Sequence, residues 1–286
     1  MVISSIVAKT EVNLQVYEHG ERSQDTVLLV HGWPDNHAVW DGVAAELAAD
    51  FHVVTYDMRG TGASSAPAHR SGYRMRRLVD DLVAVLDHVS PGSEGVHLVG
   101  HDWGSVQVWG ALVSGDPRLA GRVRSFTSLS GPDLGMFGRF LKSGLQPGRR
   151  RAVLRQLRHS WYVLAFQVPR LPEWIVSRFG ARVMRRINAS EGLSGDAHRG
   201  PSFVRDAVNG LNLYRENDLR YDLRATDVPV LLLVALQDSY VAPEVLVEAS
   251  ACASDLTRVE IEASHWAIVK EPALVAAHIR SFARRH

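Results

Sequence analysis

The sequence predicts an α/β fold: a mostly parallel sheet with helices on both faces, interrupted by an inserted helical lid. Three observations carry this. Short apolar runs at residues 26–30, 52–56 and 230–235 read as strands buried on both faces, which is how parallel sheets read. Segments of helical periodicity fall between them. From residue 134 to 221 strands give way to helical patterning alone, and the alternation then resumes. The expected division is therefore a core of residues 1–133 and 222–286 and a cap of 134–221.

The elements follow in order. Residues 5–10 and 14–17 read as an opening hairpin turned near Glu11, Val12 and Asn13. Residues 26–30 form a buried strand that runs into His31-Gly32-Trp33-Pro34, and residues 40–49 are amphipathic through Val43, Leu47 and Ala48. Residues 52–56 make the next strand, followed by the glycine-rich loop 57–64. Residues 75–89 place Leu78, Val79, Leu82, Val85, Leu86 and Val89 at helical spacing. A strand at 96–100 leads through a tight turn into a helix at 105–116, and 123–129 is a further strand. The lid divides into helices at 134–144, 149–166, 172–188 and 201–216. A strand at 230–235, a helix at 243–251, a strand at 258–261 and a closing helix at 272–285 complete the chain. An insertion between the two halves of one sheet should cover its carboxyl edge, where open α/β sheets place their sites.

Composition narrows the class. With 46 % hydrophobic and 22 % charged residues, the 286-residue chain is that of a globular protein. Its net charge of +1 gives no global attraction to nucleic acid, and no nucleic-acid partner is expected. The single Cys252 rules out an intrachain disulfide and a cysteine metal cluster and suits a reducing compartment. The amino terminus lacks the pattern of a signal peptide, and the longest apolar run, 230–236, is too short to span a bilayer. A cytoplasmic location is expected. The neutral total hides an asymmetry: residues 134–221 hold 16 Lys+Arg against 6 Asp+Glu, leaving 16 basic and 25 acidic residues elsewhere.

The chemistry is concentrated at three strand ends. The turn Gly100-His101-Asp102-Trp103-Gly104 is a strand-to-helix elbow, with glycines where the backbone must pass close to its neighbours. Its apex is Asp102, a residue that needs no base to be nucleophilic at neutral pH. A helix N-terminus should help hold it ionised. Asp238 follows the 230–235 strand and His265 follows the 258–261 strand. Taken singly, Asp238 reads as a loop residue and His265 as a core histidine. Together, in the order nucleophile, acid, histidine, they read as a catalytic triad. The N–H groups of Trp103 and Trp33 are placed to serve as an oxyanion hole. His31, Asp57 and Arg59 read as structural. A carboxylate at the elbow points to alkyl transfer and an ester intermediate, which His265-activated water would clear.

On these motifs the chain resembles the epoxide hydrolase branch of the α/β-hydrolase fold superfamily. The matching pieces are H-G-W-P at 31–34, Y-D-M-R-G-T-G at 56–62, G-H-D-W-G-S at 100–105, Q-D at 237–238 and S-H-W at 264–266. Haloalkane dehalogenases share the elbow, the acid and the histidine. The lid separates the two, because an epoxide oxygen leaves as an alkoxide that needs a proton, and a phenol suits that. The resemblance assigns this role to Tyr162, in W-Y-V-L-A-F-Q at 161–167, and to Tyr214, in L-N-L-Y-R at 211–215. Trp33, Trp103, Trp161, Phe166 and Trp266 are expected to contact substrate. Asp35 stands where the family often has Glu, and Ala165 is smaller than the aromatic often found there. Neither is expected to touch the mechanism.

The implied reaction is hydrolysis of a small apolar epoxide to a vicinal diol, with water as co-substrate and with neither cofactor nor metal. Haloalkane dehalogenation is the alternative, and a non-catalytic small-molecule binder on the same fold is a second. In the lid, Val153, Leu157, Trp161 and Leu164 are expected to share one helix face, with Arg151, Arg155 and Arg158 largely off it. The ordinary reading of these arginines is a solvated face. The sharper one is weak peripheral membrane contact, or contact with a substrate carboxylate such as an epoxidised fatty acid. A homodimer is left open.

Overall fold

The computed structural model describes residues 2–8, 10–92, 94–193, 199–220 and 224–286. It opens with β1 (Ile3–Val7) and β2 (Leu14–His19), paired antiparallel from Ile3 opposite Glu18 to Val7 opposite Leu14. Then come β3 (Thr26–Val30), β4 (His52–Tyr56), β5 (Val96–His101), β6 (Val123–Leu129), β7 (Val230–Ala235) and β8 (Leu256–Ile261). The sheet order is β1-β2-β4-β3-β5-β6-β7-β8. Strand β2 runs antiparallel to β1 and β4, and every other neighbouring pair is parallel.

Every residue of β3, β4, β5 and β7 is buried, because helices cover both faces. Helices α1 (Asp41–Leu47), α2 (Met75–Val89) and α3 (Trp103–Val113) precede β6. Between β6 and β7 lie α4 (Leu134–Ser143), α5 (Arg150–His159), α6 (Trp161–Phe166), α7 (Leu171–Glu191) and α8 (Phe203–Glu216). Helices α9 (Ala267–Lys270) and α10 (Pro272–Ala283) close the chain. Period-2 alternation divides the core. Leu28 and Val30 pack with Leu98, Phe126 and Leu232 under α2 and α3. Val27 and Leu29 pack with Val99, Leu231 and Leu233 under α1 and α10.

Three elements differ from the sequence reading. The expected helix 149–166 is two helices broken at Ser160, whose φ of −99° and ψ of 14° are not helical. Gln156 holds the break: its amide donates to Ser160 Oγ at 2.8 Å and to the Tyr240 carbonyl at 2.7 Å. The expected helix 243–251 is a 3₁₀ segment, Val245–Ala251, and β1 ends at Val7 rather than at residue 10. Lys9 lies outside the described residues, as do Tyr221 and Asp222, where the cap was expected to end.

The strand order places the site. Strands β4 and β5 flank β3, so the chain reverses direction across the sheet between β3 and β5, and a crevice opens at their carboxyl ends. The inserted helices reach the loops on this edge. Asn209 donates to the Gly60 carbonyl at 2.8 Å, and Asp206 accepts the Gly62 N–H at 3.0 Å. Helix α3 starts at the crevice because Gly104 lets it press on β3: a Cβ there would collide with the carbonyl oxygens of Val30 and His31. Gly104→Ala should therefore cost about 1–3 kcal/mol or more through overpacking. Gly92→Ala, where an added Cβ meets nothing within 4 Å, should change stability by no more than about 0.5 kcal/mol. Urea unfolding of the two variants checks this, and equal midpoints would sink the argument.

Candidate active site

Asp102 sits between β5 and α3 with φ 51° and ψ −124°, a conformation a residue with a Cβ adopts only under constraint. Glycines supply the room. A Cβ on Gly32 would strike the Asp102 carboxylate, and one on Gly131 would strike its carbonyl oxygen. The side chain is thereby aimed at the loop after β3, where the Trp33 N–H donates to Asp102 Oδ1 at 2.7 Å. The Trp103 N–H is the second backbone donor acting on this carboxylate.

Burial outweighs these donors and the attraction of His265, and pushes the Asp102 carboxyl up to about 6. The helix N-terminus helps, through the Trp103 N–H, but is outweighed: the group is largely ionised at neutral pH with little margin. Asp238, in the loop after β7, is buried too, which alone would raise it. The attraction of His265, their hydrogen bond and the N–H of Val241 lower it instead. Its Oδ1 accepts the N–H groups of Tyr240 at 2.7 Å and Val241 at 2.9 Å.

His265 Nδ1 lies 3.0 Å from Asp238 Oδ2, and its Nε2 lies 3.9 Å from Asp102 Oδ2. Burial lowers the imidazolium pKa, but the attraction and hydrogen bond of Asp238, with the charges of Asp102 and Asp35, raise it to about 9. His101 supports this loop, its Nε2–H donating to the His265 carbonyl at 2.9 Å. Burial pushes His101 down to about 3, so it stays neutral.

Aromatic rings from the inserted helices meet rings from the sheet edge. Tyr214 lies 5.1 Å from Trp103, 5.6 Å from Trp33 and 5.3 Å from Phe166, centroid to centroid. Tyr162 lies 6.0 Å from Tyr214 and 5.4 Å from Phe166. Burial first, then neighbouring charges that include Asp102, raise both phenols well above the ordinary tyrosine value, so both keep their protons. The Trp33 indole N–H donates to the Ala207 carbonyl at 3.0 Å.

The other two residues expected to contact substrate lie outside this ring cluster. Trp161 is exposed and does not join the aromatic cluster, because the break at Ser160 turns Tyr162 inward and Trp161 outward. Trp266 is buried beside His265, ring centroids 4.8 Å apart, and its indole N–H donates to Asp35 Oδ2 at 2.8 Å. His31, Asp57 and Arg59 are held in loop hydrogen bonds: His31 Nε2 accepts the Met58 N–H, Asp57 accepts the Ala63 N–H, and Arg59 pairs with Asp81.

Sequence reasoning passed over three contributors. Tyr240 packs 4.8 Å from His265 and 6.2 Å from Tyr162, and its only signal was its place two residues after Asp238. Asp35, expected to be a neutral departure, is buried with its Oδ1 2.7 Å from Arg199 Nε and raises both Asp102 and His265. Arg199 comes from the segment between α7 and α8, and no local pattern links it to position 35. Gln156 is the third, a buried polar residue in a helix that reads as merely basic.

A family model described as alpha/beta hydrolase fold matches residues 25–272. Among curated relatives, "Probable oxidoreductase EphD" of Mycobacterium tuberculosis is 36% identical over 95% of this chain and 48% of its own length. "Epoxide hydrolase A" of the same organism is 36% identical over 64% of this chain and 53% of its own. The chain thus spans about half the length of these relatives. "Epoxide hydrolase 4" of Mus musculus is 27% identical over 92% of this chain and 74% of its own. In solved structures, the epoxide hydrolase of Bacillus megaterium superposes with a TM-score of 0.81 at 21% identity, covering 98% of this chain and all of that one. Potato epoxide hydrolase I superposes with a TM-score of 0.78 at 20% identity, covering both chains in full. At that identity the likeness establishes the fold.

The electrostatics of the site are testable without substrate. In Asp238→Asn the His265 imidazolium loses its main stabilising charge while remaining buried. Its titration by NMR should fall from about 9 toward or below its ordinary 6.5. A value that stays near 9 would show that Asp238 does not govern it.

Proposed function

The chain belongs to the α/β-hydrolase fold family, and we propose that within it this chain is an epoxide hydrolase, opening an epoxide to a vicinal diol through an ester on Asp102. The observation that carries this reading is the pairing of a carboxylate at the elbow with two phenols, Tyr162 and Tyr214, that neighbour it and stay protonated. The names of the epoxide hydrolases among its relatives support the same reaction.

Asp102 Oδ1 is engaged by Trp33, which leaves Oδ2 to attack an epoxide carbon. The C–O bond breaks, its electrons pass to the ring oxygen, and Tyr162 or Tyr214 gives that oxygen a proton. Esterification removes the negative charge of Asp102, one of the charges that hold His265 protonated. The imidazolium pKa then falls, its proton passes through the site to the tyrosinate, and the neutral Nε2, with the ring steered by Asp238, can take a proton from water. The hydroxide attacks Cγ of Asp102, and the resulting oxyanion is held by the N–H groups of Trp33 and Trp103. Collapse breaks the Cγ–O bond of the ester, and the departing alkoxide, whose oxygen comes from Asp102, takes the proton held by His265 to complete the diol; the proton left on the Asp102 carboxyl then passes to His265, which restores the ionised Asp102 and the imidazolium.

Against halide displacement, the Trp33 indole N–H is already bonded to Ala207, and a halide has no use for a pair of phenols. The smaller apolar epoxides fit an aromatic cluster of this kind, and styrene oxide is a suitable first substrate.

Turnover of styrene oxide should vanish in Asp102→Asn, and Tyr162→Phe and Tyr214→Phe should each slow ring opening by roughly 10²-fold or more. In a single turnover in ¹⁸O-water the diol should carry no label, its new oxygen coming from Asp102. Label at once in the diol would mean direct attack by water, and bromide release from a haloalkane without diol formation would overturn the reading. Because the Asp102 pKa is raised and the ionised form is the nucleophile, kcat/KM should be lost as pH falls through about 6. A rate flat down to pH 4, the ordinary range of a carboxyl, would contradict this.

A further inference from the structure

The cap turns an apolar face outward. Leu154, Leu157, Trp161, Leu164, Val168, Leu171, Trp174, Ile175, Phe179 and Val183 are all exposed large hydrophobics, with Leu164 at 74%, Trp161 at 66% and Trp174 at 61%. Along the chain each follows the last by no more than four residues, so exposed apolar side chains recur from α5 through α6 into α7. The expectation that Trp161 and Leu164 would share a face with buried Val153 fails, because the chain breaks at Ser160; Leu157, four residues after Val153 in α5, is itself exposed. Scattered exposed hydrophobics need no explanation, but a run of this length does.

Charge surrounds it. Residues 149–186 hold ten arginines and one acid, Glu173. Arg178, Arg182, Arg185 and Arg186 are exposed on α7, and among the described residues none of these four pairs with a carboxylate within 4 Å. Near 100° per residue, Arg178 and Arg182 fall between Leu171, Trp174 and Ile175 on the outer side of α7, while Met184 and Asn188 are buried on the other. No described helix is long and apolar enough to cross a membrane.

We propose that the outer face of α5–α7 docks this protein onto an anionic lipid surface, with Trp161, Leu164 and Trp174 entering the interface and the arginines meeting the headgroups. A helical face that combines aromatic and aliphatic side chains with arginine is what such an interface binds. A second copy fits poorly, because a two-fold contact would set one arginine-rich face against another. The docking face and the site share an element: in α6, Trp161 and Leu164 point out while Tyr162 and Phe166 join the rings around Tyr214. An apolar epoxide dissolved in the bilayer would thus meet the cap on the helix that carries Tyr162. This delivery rests on the reading of the site as an epoxide hydrolase, whereas docking itself does not.

The test is co-sedimentation of the full chain with phosphatidylcholine vesicles, with and without phosphatidylglycerol, alongside turnover of soluble styrene oxide. Binding should require phosphatidylglycerol and weaken as salt rises. Arg178→Glu/Arg182→Glu should bind more than about tenfold more weakly, and Trp174→Ser should bind several-fold more weakly. Both should retain wild-type melting and turnover. No binding to the anionic vesicles, or binding unchanged in the arginine variant, would overturn the proposal. So would self-association that the same variants abolish without vesicle binding, which would assign the face to a second copy. Binding to polyglutamate that matches vesicle binding and ignores Trp174→Ser would assign it to an acidic polypeptide. Vesicle binding without turnover would strike the reading of the site alone, and turnover without vesicle binding would strike the docking alone.

Discussion

The structure depends on one strained residue. Asp102 holds a left-handed backbone at the end of β5, and it can do so only because Gly32, Gly104 and Gly131 let two loops and a helix close around it. The strain is repaid by the surrounding close packing, since β5 is the buried strand between β3 and β6 and cannot relax without disturbing both. What results is a carboxylate aimed away from the sheet and toward the crevice between β3 and β5, gripped by a backbone N–H from the loop after β3. The fold therefore positions the Asp102 carboxylate and the donors that face it in a single stroke.

Charge organises the rest. Asp238 and Asp35 both favour a protonated His265, whereas burial opposes charge on Asp102. These groups hold each other in balance, so a change at one is felt at the others. In the reaction proposed above, esterification of Asp102 removes one of the charges that keep His265 protonated and so frees Nε2 to accept a proton. The Asp35–Arg199 pair joins this balance from beneath Trp266 and ties the segment between α7 and α8 to the core. The cap is fastened at further points, through Gln156 to the loop of Tyr240 and through Asn209 to Gly60, so the phenols of the cap stand at a defined place over the elbow.

The cap itself has two faces with different physics. Inward, Tyr162, Phe166 and Tyr214 close an aromatic cluster with Trp33 and Trp103, and burial keeps the phenols protonated. Outward, tryptophan and leucine stand among arginines in water. In α6 the division is set at Ser160. A continuous helix would have kept Trp161 and Leu164 in line with buried Val153, and the break rotates them out.

The sequence by itself determined the sheet, the elbow and the order of the triad. Buried strands, helical spacing and glycines at close approaches are local features, and each is written in a few consecutive residues. The strands at 26–30, 52–56, 123–129 and 230–235 fall where the periodicity places them, and Asp102, Asp238 and His265 converge from three strand ends. The two tyrosines were legible only through family resemblance, since an aromatic residue in a helical cap looks like core. Only the tertiary structure decided which way Trp161 turns, that Asp35 meets Arg199 across 164 residues, and that burial rather than the helix terminus sets the pKa of Asp102. The direction of a side chain, the partner of a buried charge and the depth of its burial all depend on what packs against a residue from distant parts of the chain, and no local pattern carries that information.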